Sequence, residues 1–132
     1  MSKKDELRYG PVGAEAIHLC VDMQRMFAED TDWKMPWLPR VLPNVVAITA
    51  AHPARTVFTR FIPASAPGHG VGMWRRYYER WSSMTIDEIG SDMIDLVPNL
   101  ARFVPPARTF DKYVYSSAAT CTRNCAPPAS TP

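Results

Sequence analysis

The chain has 132 residues, of which 46% are hydrophobic and 21% charged, which is the size and composition of one globular domain. Its formal charge of +2 comes from 15 basic and 13 acidic residues mixed along the sequence, so no charged surface for nucleic acid is expected. No apolar run approaches the roughly 20 residues that span a bilayer, and no signal or transit peptide is recognisable. We therefore expect a cytoplasmic protein that binds neither nucleic acid nor membrane.

The first predicted elements are a strand, a helix and a second strand. Residues 16–23 (AIHLCVDM) form a short apolar run that is typical of a strand buried on both faces. Residues 37–51 carry apolar side chains at helical spacing, and residues 56–61 (TVFTRF) are rich in the β-branched and aromatic residues that favour strands. A strand, a helix and a strand in this order predict a parallel βαβ unit.

The second part of the chain adds an aromatic helix and a third strand. Residues 73–81 (MWRRYYERW) place four aromatic side chains on one helical face. Residues 84–100 are amphipathic but interrupted by Gly90 and Pro98, which predicts a short helix and a connection, and residues 108–115 (RTFDKYVY) predict the third strand. The expected fold is therefore α/β with an incomplete parallel sheet, consisting of the N-terminal three strands and their connecting helices.

The end of the chain differs from the rest, because residues 116–132 contain no Leu, Ile, Val, Met or aromatic residue. We expect an unstructured tail at 117–132, after an α/β domain at 15–116 and an N-terminal arm at 1–14. A natural flexible terminus, an engineered truncation and a reading-frame change after Tyr115 all stay open as explanations. The frame change has a checkable form: reading one base earlier turns the codons of both cysteines in this segment into codons for Leu, Met or Val, spaced like one helix face.

Two ionisable residues, Asp22 and Lys112, lie at or near the ends of predicted strands, where open α/β sheets form their ligand crevices. Taken singly, each is explained more simply, as a capping aspartate and a lysine at a strand edge. In combination, the block AIHLCVDMQRMF, the strand TVFTRF and the segment FDKYVYS, whose lysine follows the aspartate by 90 residues, resemble the isochorismatase-like cysteine hydrolase superfamily.

The resemblance implies a three-layer α/β/α Rossmann-like fold and an Asp-Lys-Cys triad that hydrolyses an amide-type C–N bond of a small molecule. Asp22 matches the base and Lys112 the cation of that triad. The residue types suit the chemistry, because a carboxylate accepts the proton of a thiol and a cation stabilises the thiolate that forms. The family comparison also predicts that Phe27 and Trp81 line the substrate pocket.

The cysteine of the triad has no match in this sequence. In the family it begins a helix well beyond the lysine, after a further strand, whereas Cys121 and Cys125 follow Lys112 by nine and thirteen residues. Cys20 lies two residues before Asp22, inside the predicted strand, which indicates a buried structural thiol. We therefore expect this chain to be inactive by itself.

No metal or other cofactor is predicted. Some relatives that hydrolyse nicotinamide carry an Asp-x-His metal motif where this chain has Thr59-Arg60-Phe61. The three histidines are scattered along the sequence, and one Cys-x-x-x-Cys spacing without a second pair is weak support for zinc.

A noncatalytic binding or assembly fragment is the alternative function. The family's strand order places the first strand in the middle of the sheet, so without the C-terminal half its edge would be exposed, and we expect poor stability or association through that edge. Homo-oligomerisation stays open. The helix at 73–81 has arginines between its rings, but Glu79 interrupts the positive charge, and packing on a core or a partner is favoured over binding nucleic acid.

Overall fold

The computed structural model of the protein describes residues 6–115. Within that range, the strands β1 (His18–Val21), β2 (Thr56–Phe61) and β3 (Arg108–Lys112) form one parallel sheet in the order β1-β2-β3. The predicted α/β class with an incomplete parallel sheet is confirmed. The sequence-predicted tail at 117–132 lies outside the described residues.

Five α-helices connect and cover these strands in the described part of the chain. They are α1 (Arg25–Ala28), α2 (Leu38–Ala51), α3 (Met73–Arg80), α4 (Ile86–Ile89) and α5 (Pro98–Ala101), with 3-10 turns at Pro53–Arg55, Ser82–Met84 and Ser91–Ile94. None of the helices within residues 6–115 is long and apolar enough to cross a membrane.

The main apolar core lies on the sheet face that carries Cys20 and Phe58. Leu38 of α2 and Leu100 of α5 pack against this face, and the half-buried apolar side chains on the inner side of α2 extend the cluster. Each such side chain contributes about 1.5–3 kcal/mol when it is fully buried. α2 and α5 cover this face, while at the carboxyl end of β1 the Asp22 side chain stays 30% exposed.

Two predicted strands are shorter than their apolar runs. β1 ends at Val21, because Asp22 has a φ of +58°, in the left-handed region that interrupts a strand. β3 ends at Lys112 rather than Tyr115, because the chain bends after Lys112; the Ile62 N–H, just after β2, still donates to the Lys112 carbonyl at 2.8 Å. Both strands therefore stop at the ionisable residues that the sequence singles out.

Candidate active site

Asp22 and Lys112, which are 90 residues apart in the sequence, meet at the carboxyl ends of β1 and β3. Lys112 Nζ lies 3.2 Å from Asp22 Oδ1 and 3.3 Å from Oδ2. Lys112 is only 4% exposed, its ammonium donates to the Tyr115 carbonyl at 3.1 Å, and it lies 5.3 Å from the centre of the Phe61 ring. Burying an unpaired ammonium costs several kcal/mol, so the Asp22 carboxylate stabilises the cation at this position.

The backbone turn at Asp22 aims its carboxylate at the lysine. A positive φ at a residue other than glycine is uncommon and costs about 1–3 kcal/mol unless the surroundings hold it. Here the Asp22 N–H donates to both oxygens of Thr59, the carbonyl at 3.2 Å and Oγ1 at 3.3 Å. The Thr59 hydroxyl, which is fully buried, donates in turn to Asp22 Oδ1 at 3.2 Å. Thr59 thus fixes both the turn and the carboxylate.

Gln24 fastens the segment that follows Asp22 to the end of β2. Its side-chain amide is fully buried and donates to the Phe61 carbonyl at 2.9 Å and the Ile94 carbonyl at 2.8 Å, while Oε1 accepts from the Phe61 N–H at 2.7 Å. Every hydrogen bond of this amide joins two segments far apart in sequence. Gln24 is therefore a positioning residue for the strand end that carries Asp22.

A cavity of about 380 Å³ opens beside Asp22. This volume is within the usual range of pockets for small molecules. Phe27, Trp33, Phe61, Tyr77 and Tyr115 supply aromatic walls, and Asp32, Lys34 and Met35 complete the lining. A second cavity of about 350 Å³ adjoins Asp22 on the side of β1 and α2.

The aromatic walls belong to one cluster centred on Trp33. Its ring centre lies 5.9–6.2 Å from those of Phe27, Phe61, Tyr77 and Trp81. The Asp32 carboxylate, next to Trp33, also accepts a hydrogen bond from the Ser83 hydroxyl, which ties the 29–36 loop to the turn after α3. Through these contacts α3 and the loop together form the cover of the cavity.

Three of the four predicted site residues lie at the candidate site, and the fourth lies outside the cavity lining. It brings Asp22 and Lys112 into contact, and Phe27 lines the cavity beside them. Trp81 is not among the lining residues of this cavity but contacts Trp33 from behind, at 6.0 Å between ring centres.

The sequence patterns assign no role to Thr59, Gln24, Trp33 or Tyr115, which complete the site within residues 6–115. Gln24 could have been noticed, because it is an uncharged polar residue only two positions after the strand-end aspartate. The other three have no local pattern that marks them, since their contacts join distant segments.

Burial raises the pKa values of two groups near the charge pair, Tyr77 and Cys20. Burial, followed by the hydrogen bond with Tyr115, raises the pKa of Tyr77 well above its usual range, so this wall of the cavity stays uncharged. Burial, followed by the charge of Asp22, raises the pKa of the Cys20 thiol to about 12. Cys20 is free, 5% exposed and packed in the core under α2, as predicted for a structural thiol.

No group of three or more His, Cys, Asp or Glu side chains that could hold a metal comes together within residues 6–115. Arg60, in the segment compared above with metal-binding relatives, instead forms two hydrogen bonds to the Asp111 carboxylate, at 2.7 and 2.9 Å. This paired geometry links β2 to β3 next to the site.

The described residues thus form a parallel α/β domain with a buried lysine and an aspartate in contact at the strand ends. The chain belongs to the isochorismatase-like cysteine hydrolase superfamily, because the sequence profile of the Isochorismatase domain matches residues 16–122.

The fold is also similar to the crystal structure of a cysteine hydrolase from Pseudomonas syringae pv. phaseolicola 1448A, with a TM-score of 0.60 and 22% sequence identity. The similarity covers 84% of this chain but 55% of the other, so this chain spans little more than half the length of that relative. A search of curated proteins found no significant match.

Proposed function

We propose that this chain carries the general base and the cation of a cytoplasmic cysteine hydrolase that cleaves an amide-type C–N bond of a small molecule. Asp22 is the base and Lys112 is the cation. The observation that carries the proposal is the contact between a lysine that is 4% exposed and a strand-end aspartate at the mouth of an aromatic cavity. Such a charge pair in a cleft is typical of a functional site.

The proposed reaction uses each charge of the pair in turn. The Asp22 carboxylate takes the proton of a thiol, and the Lys112 ammonium stabilises the thiolate. The thiolate attacks the carbonyl carbon of the amide, and the C–N bond breaks as the proton passes from Asp22 to the leaving amine. Water then hydrolyses the thioester, which releases the carboxylic acid and regenerates the thiol.

The thiol is assigned to a residue outside 6–115. Cys20 is the one cysteine within that range, and it is unsuited, because its sulfur is buried in the core and its pKa of about 12 keeps it protonated at neutral pH. The family resemblance does not match Cys121 or Cys125 to the nucleophile either.

The cavity supports a small substrate with a planar or apolar body. Its volume of about 380 Å³ suits a small molecule, and its aromatic walls offer stacking surfaces beside the charge pair. Phe27 would contact the substrate directly, and Trp81 would act through Trp33.

The test is hydrolysis by the protein expressed from its native gene, offered a panel of small aliphatic and aromatic amides. We expect release of ammonia or amine from at least one amide, a loss of about 10²–10⁴-fold in kcat for Asp22→Asn because its side chain cannot accept the proton, and no loss for Asp87→Asn, an exposed carboxylate in α4.

Binding is measured in parallel, by the fluorescence of the tryptophans near the cavity. Saturable binding of an amide without any release of amine would contradict the hydrolase proposal and favour the noncatalytic alternative. Full activity in Asp22→Asn would contradict the assignment of the base.

A further inference from the structure

The two carboxylate oxygens of Asp22 have different surroundings. The fully buried Thr59 hydroxyl donates to Oδ1 at 3.2 Å, and Lys112 Nζ lies 3.2 Å from the same oxygen. Oδ2 has Lys112 Nζ alone, at 3.3 Å, among the polar partners that residues 6–115 provide. Each carboxylate oxygen has two lone pairs, so both lone pairs of Oδ1 are used and Oδ2 keeps one. The oxygen that is free to take a proton is therefore Oδ2.

The direction of the Thr59 hydroxyl is fixed by the backbone at Asp22. The hydroxyl oxygen accepts from the Asp22 N–H at 3.3 Å, and the hydroxyl proton points at Asp22 Oδ1. A hydroxyl has a single proton, and Oδ1 is the acceptor that the described residues offer to it in this buried position. If the hydroxyl accepted a proton from the carboxyl group instead, its own proton would be buried without a partner, which is unfavourable. Thr59 is therefore a donor to the carboxylate.

A fixed donor at Oδ1 decides which protonated form of Asp22 is favoured. A proton on Oδ1 would face the Thr59 hydroxyl proton and the Lys112 ammonium, both about 3.2 Å from this oxygen. A proton on Oδ2 leaves the hydrogen bond from Thr59 in place, and the ammonium keeps Oδ1 as its acceptor. The arrangement thus favours the carboxylic acid whose proton is on Oδ2.

Other buried threonines of the fold show a different use of the hydroxyl group. Thr49, Thr56 and Thr85 are fully buried too, and each donates its hydroxyl proton to a main-chain carbonyl three or four residues earlier in the sequence. Thr59 donates to a side-chain carboxylate 37 residues away. Hydrogen bonds to ionised groups are roughly twice as strong as those between neutral groups. Its partner therefore distinguishes Thr59 from threonines that only stabilise the local backbone.

We propose that Thr59 is a positioning residue that directs the reacting proton to Oδ2 of Asp22. The inference rests on the proposed function, in which Asp22 takes the proton of a thiol. The S–H bond breaks as the Oδ2–H bond forms, and the same proton leaves Oδ2 for the amine when the C–N bond breaks. Thr59 itself neither gains nor loses a proton. Without its hydroxyl, Oδ1 would compete for the proton and hold it towards residue 59 instead of towards the reacting atoms.

The first test is kinetic and uses the protein expressed from its native gene with an amide that it hydrolyses. Thr59→Val keeps the shape of the side chain but removes the hydroxyl. It is expected to lower kcat by about tenfold or more and to leave KM nearly unchanged, because it affects the proton transfer and not the binding of the amide. Thr59→Ser is expected to keep most of the activity. Thr49→Val, the same change at a buried threonine of α2, is the matched control and should keep the kcat of the wild type.

A comparison of double and single variants separates positioning from a general structural role. If Thr59 acts through Asp22, Thr59→Val should cause no further loss of the residual kcat of Asp22→Asn, since residues that act as a unit are not additive. A structural role would lower kcat by the same factor in both backgrounds. Equal factors, or full kcat in folded Thr59→Val, would overturn the inference and leave Asp22 as the proposed base.

Proton NMR provides a second measurement that needs neither hydrolysis nor a variant of Thr59, and it decides the question if Thr59→Val fails to fold by circular dichroism. The Thr59 hydroxyl proton is expected to exchange slowly enough to be resolved, and to shift upfield in Asp22→Asn, whose neutral oxygen is a weaker acceptor. A hydroxyl proton that is not resolved, or that does not shift, would overturn the inference. A resolved proton that shifts, in a protein that hydrolyses no amide, would count against the proposed function alone, because the hydroxyl would still direct a proton on this carboxylate to Oδ2.

Discussion

At the scale of single residues, the site depends on a strained aspartate that holds a buried lysine. Thr59 holds the left-handed turn of Asp22, and the turn directs the carboxylate to Lys112. Backbone strain of this kind persists where the surroundings determine it and is common at functional sites. The two charges therefore depend on each other for stability as well as for the proposed chemistry.

This dependence predicts a strong coupling between Asp22 and Lys112. Asp22→Asn is expected to lower the free energy of unfolding by about 1–3 kcal/mol, because it leaves a buried ammonium without its counter-ion, although the 30% exposure of Asp22 reduces the cost. Lys112→Met alone leaves a partly solvated carboxylate and is expected to cost less. The double variant should lose less free energy of unfolding than the sum of the losses in the two single variants.

Urea unfolding of the four proteins measures this coupling in a double-mutant cycle. The pair Asp87→Asn and Lys34→Met, both at exposed positions, provides a control cycle with no expected coupling. Additive effects at Asp22 and Lys112 would mean that the contact between them does not stabilise the fold.

The sequence could predict this pair but not its supports. Asp22 follows the first predicted strand and Lys112 lies inside the third, and the resemblance to the family, rather than either position alone, predicts that the two act together. Thr59 and Gln24 act through hydrogen bonds to residues 37 positions away in sequence. Contacts at that separation are set by how the strands pair, and no local periodicity encodes them.

At the scale of elements, the cover of the cavity joins a regular helix to an irregular loop. The aromatic face of α3 is predictable from its spacing, and Trp74 and Tyr77 do pack towards the cavity cluster, with ring centres 5.0 Å apart. Trp33 lies in a loop without periodicity, so its central position could not be predicted from sequence. Its contacts with Phe27, Tyr77 and Trp81 connect the two elements.

Trp33 is therefore expected to stabilise the cover of the cavity by holding its loop against α3. Trp33→Ala should lower the free energy of unfolding by about 2–4 kcal/mol, since it removes a half-buried ring from a packed cluster, and should weaken binding of amides in the cavity. Trp33→Phe should keep most of the stability and most of the binding of amides. Tyr9→Ala, at a ring 89% exposed and outside the cluster, should change stability by less than about 0.5 kcal/mol. Urea unfolding and a binding titration check these outcomes. Unchanged binding in Trp33→Ala would mean that Trp33 does not contribute to the binding of amides in the cavity.

At the scale of the whole molecule, sequence patterns predict the class of fold and its three parallel strands, whereas the exposed apolar surface depends on how these strands are ordered. β2 is buried along almost its whole length between β1 and β3, while β1 exposes two of its four residues. An end strand and a central strand of a parallel sheet have similar compositions, so the sequence alone does not distinguish them. The exposure of Leu19 and Val21 on β1 follows from this order of strands within residues 6–115.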